Sequence, residues 1–108
     1  MIEIDKISGM GEYEVRTEKV RPDKDETREV YLVKGKVFLV VNKNTIEVRC
    51  DRKLGKLLTE KYESVMESRY YGRGGIEIVD AGQLSDVEVE DLVRLSYNLT
   101  VETADGDF

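Results

Sequence analysis

Arginine, tyrosine and glycine residues are concentrated between positions 69 and 75. Guanidinium groups bind phosphate through paired hydrogen bonds, and tyrosine rings stack on nucleic-acid bases. Glycine-rich segments also form tight connections between strands, with neighbouring tyrosines filling the edge of the core. The segment is therefore either an anion-binding loop or a structural turn. The candidate nucleic-acid or anion contacts are Arg49, Arg69, Tyr70, Tyr71 and Arg73.

The composition excludes several kinds of site. The chain has no histidine and a single cysteine, so it can form neither an internal disulfide nor a zinc site built from several Cys and His ligands. Without histidine it also lacks the side chain that most often moves protons near neutral pH. We therefore expect a binding module without a cofactor rather than an enzyme.

Charge is distributed unevenly along the chain. The formal net charge is −6, to which residues 76–108 contribute −8 and residues 50–75 contribute +2. An acidic protein is poorly suited to strong, sequence-independent nucleic-acid binding, because that binding depends on neutralising phosphates. The basic middle of the chain still permits a local site for DNA or another phosphate-bearing ligand.

Cys50 stands just before a predicted helix, whose N-terminus would stabilise a thiolate. It also continues the apolar alternation of Ile46 and Val48. Lone cysteines usually behave as small buried apolar residues, so we interpret Cys50 as structural and expect slow reaction with thiol reagents.

Charged residues on the two predicted helices have simple structural interpretations. Three cations of the first helix could extend a basic surface from Arg49, although a solvated face with a Lys56–Glu60 pair is the simpler explanation. Three of four acids near the start of the second helix complement its dipole, Glu90 can pair with Arg94, and the four lack the spacing of a calcium loop, so we expect no metal site. The cations are Arg52, Lys53 and Lys56, and the acids are Asp86, Glu88, Glu90 and Asp91.

Strand patterns dominate the first half of the chain. Residues 12–20 alternate in polarity, which predicts an amphipathic edge strand, and the loop at residues 21–27 contains the only proline. Two β-rich runs meet at a Lys34-Gly35-Lys36 turn. The second run is apolar on both faces, so we place it centrally in the sheet. A further strand at residues 45–50 directs Glu47 away from the Ile46 side.

Two helices complete the pattern. Residues 51–62 predict one helix whose buried stripe includes Leu57, and a capping box of Ser85 and Glu88 starts another that ends near Tyr97. Between the helices, a strand at residues 75–79 follows the glycine-rich loop, and the pattern leaves open whether there is a second strand. This order predicts an α+β fold, an antiparallel sheet with helices packed on one face. We assign residues 1–102 to one domain and residues 103–108 to a flexible C-terminal tail.

Four features occur in a definite order: the Gly-Lys-Val-Phe motif at residues 35–38, the Cys50-Asp51 step into a helix, the Ser-Arg-Tyr motif at residues 68–70 and the Ser96-Tyr97 pair. In this order the chain resembles the MmcQ/YjbR-like family of small bacterial proteins over about residues 28–101. The resemblance implies a two-layer, secretion-chaperone-like fold and a DNA-binding role, although fold alone does not establish function. We read Ser96 and Tyr97 as structural. A looser resemblance to the TfoX N-terminal domain rests on residues 35–38.

Family members begin with a full helix, whereas residues 1–11 are interrupted by Gly9 and Gly11. We expect this difference to leave apolar sheet surface or an unpaired strand edge exposed. The alternative function is therefore a protein–protein interaction domain that offers a sheet face or edge to a protein partner or a second copy. No apolar run reaches the length of a membrane span, and no signal-peptide pattern is present, so we expect a cytoplasmic protein.

Overall fold

The computed structural model describes residues 3–105, which form one antiparallel sheet and two α-helices. A short 3₁₀ helix at Ile4–Lys6 precedes them. The elements are β1 (Glu14–Lys19), β2 (Thr27–Val33), β3 (Lys36–Val41), β4 (Thr45–Arg49), α1 (Arg52–Lys61), β5 (Val65–Ser68), β6 (Gly72–Val79) and α2 (Asp86–Asp105).

The sheet has the strand order β1-β2-β3-β4-β6-β5, and every neighbouring pair is antiparallel. The predicted α+β class and the central position of β3 are therefore confirmed. The turn between β2 and β3 has positive φ at Lys34 (53°) and Gly35 (78°). Positive φ at both central residues is the mark of a two-residue hairpin turn whose twist matches that of the strands.

Both helices cover the same face of the sheet, and α2 approaches it closely at Ser96. The Ser96 hydroxyl donates to the Phe38 carbonyl (2.6 Å) and accepts the Arg49 backbone N–H (2.9 Å). The Tyr97 ring packs edge-on against Phe38, and its hydroxyl donates to the Glu12 carbonyl. The structural interpretation of Ser96 and Tyr97 is confirmed.

Helix α1 contacts the sheet through a narrower stripe than predicted. A Cβ added at Gly55 would lie 3.2 Å from Cys50 Sγ and 3.6 Å from a methyl of Ile76, so glycine allows the close approach. Leu58 is partly buried, but Leu57 is 62% exposed. The prediction that Leu57 belongs to the buried stripe is wrong, because its position on the helix points away from the β5–β6 side of the sheet.

Helix α2 begins with the predicted capping box. The Glu88 N–H donates to Ser85 Oγ (3.2 Å), and the Ser85 N–H donates to Glu88 Oε1 (3.1 Å). The helix runs to Asp105 rather than ending near Tyr97, since residues such as Val101 continue to pack against the core. The first three residues of the predicted tail are therefore helical, and residues 106–108 lie outside the described part of the chain.

A β-hairpin replaces most of the predicted glycine-rich loop. The second strand that the sequence left open between the helices is β5, and β6 begins at Gly72 rather than Gly75. Four residues are too few to show an alternating pattern, and glycine has low β propensity. A Cβ at Gly75 would lie 2.5 Å from the Val48 carbonyl oxygen and 2.8 Å from the Tyr71 ring, so close packing explains this glycine.

The N-terminal segment covers part of the helix-bearing face, because Ile7 is buried in the core and Met10 packs against it. The predicted unpaired edge is present at β1. On the other face, Val30, Leu32 and Val40 are buried, so among residues 3–105 the exposed apolar side chains of the sheet are separate ones such as Val15 and Met66 rather than the predicted continuous surface. Within residues 3–105, no helix has the length and apolar character needed to cross a membrane.

Candidate functional site

The turn between β5 and β6 folds over the face of the sheet that carries no helix. Ser68 Oγ accepts the backbone N–H groups of Tyr70 (3.1 Å) and Tyr71 (2.9 Å), and the Ser68 hydroxyl donates to Glu47 Oε1 (2.8 Å). The Tyr70 N–H also donates to Glu47 Oε1 (2.9 Å). The carboxylate of Glu47 therefore anchors the turn to β4.

Arg69 forms a bidentate ion pair with Glu77. Its Nε donates to Oε1 (2.9 Å) and its Nη2 to Oε2 (2.7 Å), while the Thr45 hydroxyl also donates to Oε2 (2.6 Å). Burial by itself would raise the pKa of Glu77, but the hydrogen bonds from Arg69 and Thr45 outweigh it and lower that pKa. The charge of Arg69 is thus already balanced by a protein carboxylate.

Tyr71 contacts two other strands of the sheet. Its hydroxyl donates to the Val37 carbonyl (3.0 Å), and the Arg49 guanidinium lies 5.8 Å from its ring centroid. Burial raises the pKa of the Tyr71 hydroxyl well above its ordinary value. Tyr71 and Arg49 therefore join the turn to β3 and β4, which is the structural role that the sequence left open for the tyrosines.

Tyr70 is more accessible than Tyr71. Its ring meets that of Tyr71 edge-on at 4.9 Å, and the Arg28 guanidinium lies 5.1 Å from its centroid. Arg28 is in turn paired with Glu18 on β1 (2.7 Å). The Tyr70 ring is therefore exposed but already has a cation beside it.

Arg73 lies apart from this network, in a surface groove of about 340 Å³ between α1 and the β5–β6 hairpin. Arg52 and Lys56 of α1 line the same groove, and Glu67 of β5 contributes the only carboxylate among its lining residues. Within residues 3–105, no ion pair engages any of the three cations. The groove therefore has a surplus of positive charge that the fold does not use. Its remaining lining residues are Gly55, Thr59, Gly75 and Ile76.

The structure divides the five predicted contacts into two groups. Four of them belong to the turn and its supports on the helix-free face, and Arg73 belongs to the groove. Arg52 and Lys56 were predicted to be a solvated helix face or an extension of the surface at Arg49, and their convergence with Arg73 could not be read from positions so far apart in sequence. Glu47 and Glu77, which support the turn, were not singled out at all. The four turn-side contacts are Arg49, Arg69, Tyr70 and Tyr71.

Cys50 is buried, as predicted, and its thiol is free. Burial and the neighbouring charge of Asp51 raise its pKa. A raised pKa lowers the fraction of reactive thiolate at neutral pH, so its setting is that of a structural cysteine rather than a redox sensor.

A six-stranded antiparallel sheet with two helices on one face and a basic surface groove defines a small two-layer α+β domain. A family sequence profile described as YjbR matches residues 13–99, and the chain belongs to the YjbR family. The match includes β1, which lies before the residues that carry the sequence resemblance (about 28–101). No curated protein and no solved structure matches the chain significantly.

Proposed function

We propose that the protein is a non-enzymatic binding module that holds phosphate groups of DNA, or of another phosphate-bearing ligand, in the groove of Arg52, Lys56 and Arg73. The observation that carries the proposal is the convergence of these three cations, none of them in an ion pair within residues 3–105, around one groove. The two guanidinium forks match the paired oxygens of a phosphate, and the ammonium adds a third charge.

The charges around the groove predict weak, salt-sensitive binding. Glu67 offsets one of the three cations, and the chain as a whole carries −6. Three phosphate contacts release few counterions, so we expect the logarithm of affinity to fall with the logarithm of salt concentration with a slope of about −2 to −3.

The residues around the groove support binding rather than catalysis. The chain has no histidine, and the groove presents three cations, Glu67 and Thr59, with no activated nucleophile paired to a base. The binding roles of Arg49, Arg69, Tyr70 and Tyr71 stay predictions. The proposal places the protein in the bacterial cytoplasm, where DNA is accessible and a single reduced cysteine persists.

Fluorescence anisotropy with labelled single-stranded and duplex DNA at low salt tests the proposal. We expect weak binding by the native protein and its loss in the triple variant Arg52→Ala, Lys56→Ala, Arg73→Ala. The matched control removes three exposed cations elsewhere, Arg21→Ala, Lys24→Ala, Lys43→Ala, and changes the net charge equally. Absent binding by the native protein, or equal losses in the two triple variants, would refute a specific role for the groove.

A protein-interaction role is the second candidate, because within residues 3–105 the sheet has open edges. Strand β1 pairs only with β2 at one edge, and β5 pairs only with β6 at the other. Competition between DNA and self-association would show whether the two roles depend on the same surface, since the groove lies beside β5 and β6, at the end of the strand order opposite to β1.

A further inference from the structure

Strand β1 presents an unbroken edge to solvent. It pairs with β2 over six residues without a register shift, contains no proline and has no second neighbouring strand in the described sheet. An edge of this kind offers a row of unpaired N–H and C=O groups to another strand. The residues whose backbone groups point outward determine what can pair there.

In an antiparallel hairpin, hydrogen-bonded and non-hydrogen-bonded residue pairs alternate, and this alternation in the β1–β2 hairpin identifies those residues. The Val20 N–H donates to the Glu26 carbonyl (3.0 Å), a pair in line with Lys19 opposite Thr27. Val20 and Glu26 therefore form a hydrogen-bonded pair. Because hydrogen-bonded pairs alternate with non-hydrogen-bonded pairs along an antiparallel ladder, the even-numbered residues of β1 direct their backbone N–H and C=O groups to β2. The outward-pointing backbone groups therefore belong to Val15, Thr17 and Lys19.

The next hairpin supports this alternation independently. The two-residue turn at Lys34 and Gly35 makes Val33 and Lys36 a hydrogen-bonded pair between β2 and β3. Between this turn and the bulge at Tyr31/Leu32, Val33 therefore bonds to β3, which leaves its neighbour Leu32 to bond to β1, opposite Glu14.

We propose that β1 pairs antiparallel with β1 of a second copy of this chain, about a two-fold axis at Thr17, to form a continuous twelve-stranded sheet. In this register Thr17 faces Thr17 of the second copy, and Val15 faces Lys19. These are the residues whose backbone groups point outward, so each of the three facing pairs exchanges two hydrogen bonds.

The side chains select this register. Arg16 of each copy faces Glu18 of the other. They form a non-hydrogen-bonded pair, the kind in which the two side chains lie closest in an antiparallel ladder. A shift by one step centres the pairing on Arg16 or on Glu18 and places like charges opposite each other. Pairing centred on Val15 also sets Arg16 opposite Glu14, but it places Glu12 opposite Glu18 and joins only three residues of β1 (14–16), whereas pairing centred on Thr17 joins five (15–19). Charged edges generally discourage pairing, but here the charges disfavour the registers one step away, and the number of paired β1 residues favours Thr17 over Val15.

Glu18 is prepared for a second cation. Both contacts from Arg28 reach Glu18 Oε1, at 2.8 Å from Nε and 2.7 Å from Nη2. Its Oε2 accepts no hydrogen bond from residues 3–105. Arg16 holds only an exposed pair with Glu14 (3.0 Å), which costs little to exchange. The carboxylate of Glu18 can thus bridge Arg28 of its own chain and Arg16 of the second copy.

Sedimentation equilibrium over a wide concentration series tests the proposal. The contact is small, so we expect weak association in which the average mass rises from 12.4 kDa towards twice that value. Arg16→Glu and Glu18→Arg should each raise the dissociation constant at least about tenfold, because each places like charges opposite each other twice. Lys43→Glu makes the same charge change as Arg16→Glu on an exposed turn and should leave the constant unchanged.

A mixture of the two variants provides the decisive comparison. Chains with Glu at positions 16 and 18 face chains with Arg at both positions, so the mixture should associate although neither variant does so alone. The double variant Arg16→Glu, Glu18→Arg should associate by itself, and circular dichroism should show all chains folded. A native mass of 12.4 kDa at every concentration, a dimer indifferent to Arg16→Glu, or a mixture that stays monomeric overturns the proposal.

Discussion

Glu47 and Glu77 lie directly opposite each other on β4 and β6, and they are only 1% and 3% exposed. Two facing carboxylates repel, so each needs its own donors. Glu77 has the Arg69 fork and the Thr45 hydroxyl, whereas Glu47 has neutral donors only, from Ser68, Tyr70 and Asn42. This acidic pair holds the β5–β6 turn over the helix-free face of the sheet.

Replacing Arg69 should destabilise the fold more than replacing Arg73. Arg69→Ala leaves the buried Glu77 carboxylate without its cation, and we expect the free energy of unfolding to fall by about 1–2 kcal/mol, reduced from the cost of a fully buried pair because the guanidinium is exposed. Arg73→Ala should change it by less than about 0.5 kcal/mol. Urea denaturation of both variants measures the difference, and equal costs would contradict the ion pair's structural role.

Stability should decrease as the pH falls below the ordinary glutamate value. The pKa of Glu77 is lowered in the folded protein from 4.5. The unfolded chain therefore binds its proton first, and the stabilisation present above pH 4.5 is lost as the pH falls towards the folded pKa. In Arg69→Ala, the hydrogen bonds and charge of Arg69 that lower the pKa of Glu77 are lost, while burial still raises it, so this pKa should rise. Carboxyl NMR titration of Glu77 in both proteins measures this, and unchanged titration would contradict it.

Gly75→Ala should be much more costly than Gly74→Ala. A methyl group at position 75 would lie 2.5 Å from the Val48 carbonyl oxygen and 2.8 Å from the Tyr71 ring, whereas at position 74 its nearest neighbour is 3.6 Å away. We expect a loss of about 1–3 kcal/mol for the first change and little for the second. The melting temperatures of the two variants measure this difference. Similar melting temperatures would contradict the argument from close packing at Gly75.

Cys50 should react slowly with a thiol-exchanging disulfide reagent until the protein unfolds. The side chain is buried and its pKa is raised by burial, so both access and thiolate fraction are low. The rate for the native protein should approach that of a model thiol only in denaturant. Fast labelling of native protein at neutral pH would instead indicate an activated cysteine.

Local signals in the sequence were sufficient for much of the fold. The Lys34-Gly35 turn, the apolar run of β3 and the capping box at Ser85 each act over a few residues, so their structural effects could be predicted without tertiary contacts. The same is true of Cys50, whose burial follows from the alternation along β4. The prediction of the α+β class rests on these signals.

Short or ambiguous segments needed the tertiary structure. Strand β5 has four residues, and it forms because β6 provides a partner and α1 covers it. The exposure of Leu57 depends on where α1 crosses the sheet. The formation of β5 and the exposure of Leu57 cannot be predicted from the local sequence pattern, because both depend on contacts with distant parts of the chain.

The candidate sites show the same division most clearly. The sequence by itself determined that arginines, tyrosines and glycines are concentrated near residue 70. Only the fold decided that Arg69 is balanced by Glu77 while Arg73 joins Arg52 and Lys56 in a groove without ion pairs among the described residues. The reason is physical: the availability of a charge depends on its neighbours in space, and for these residues the neighbours come from different elements of the fold.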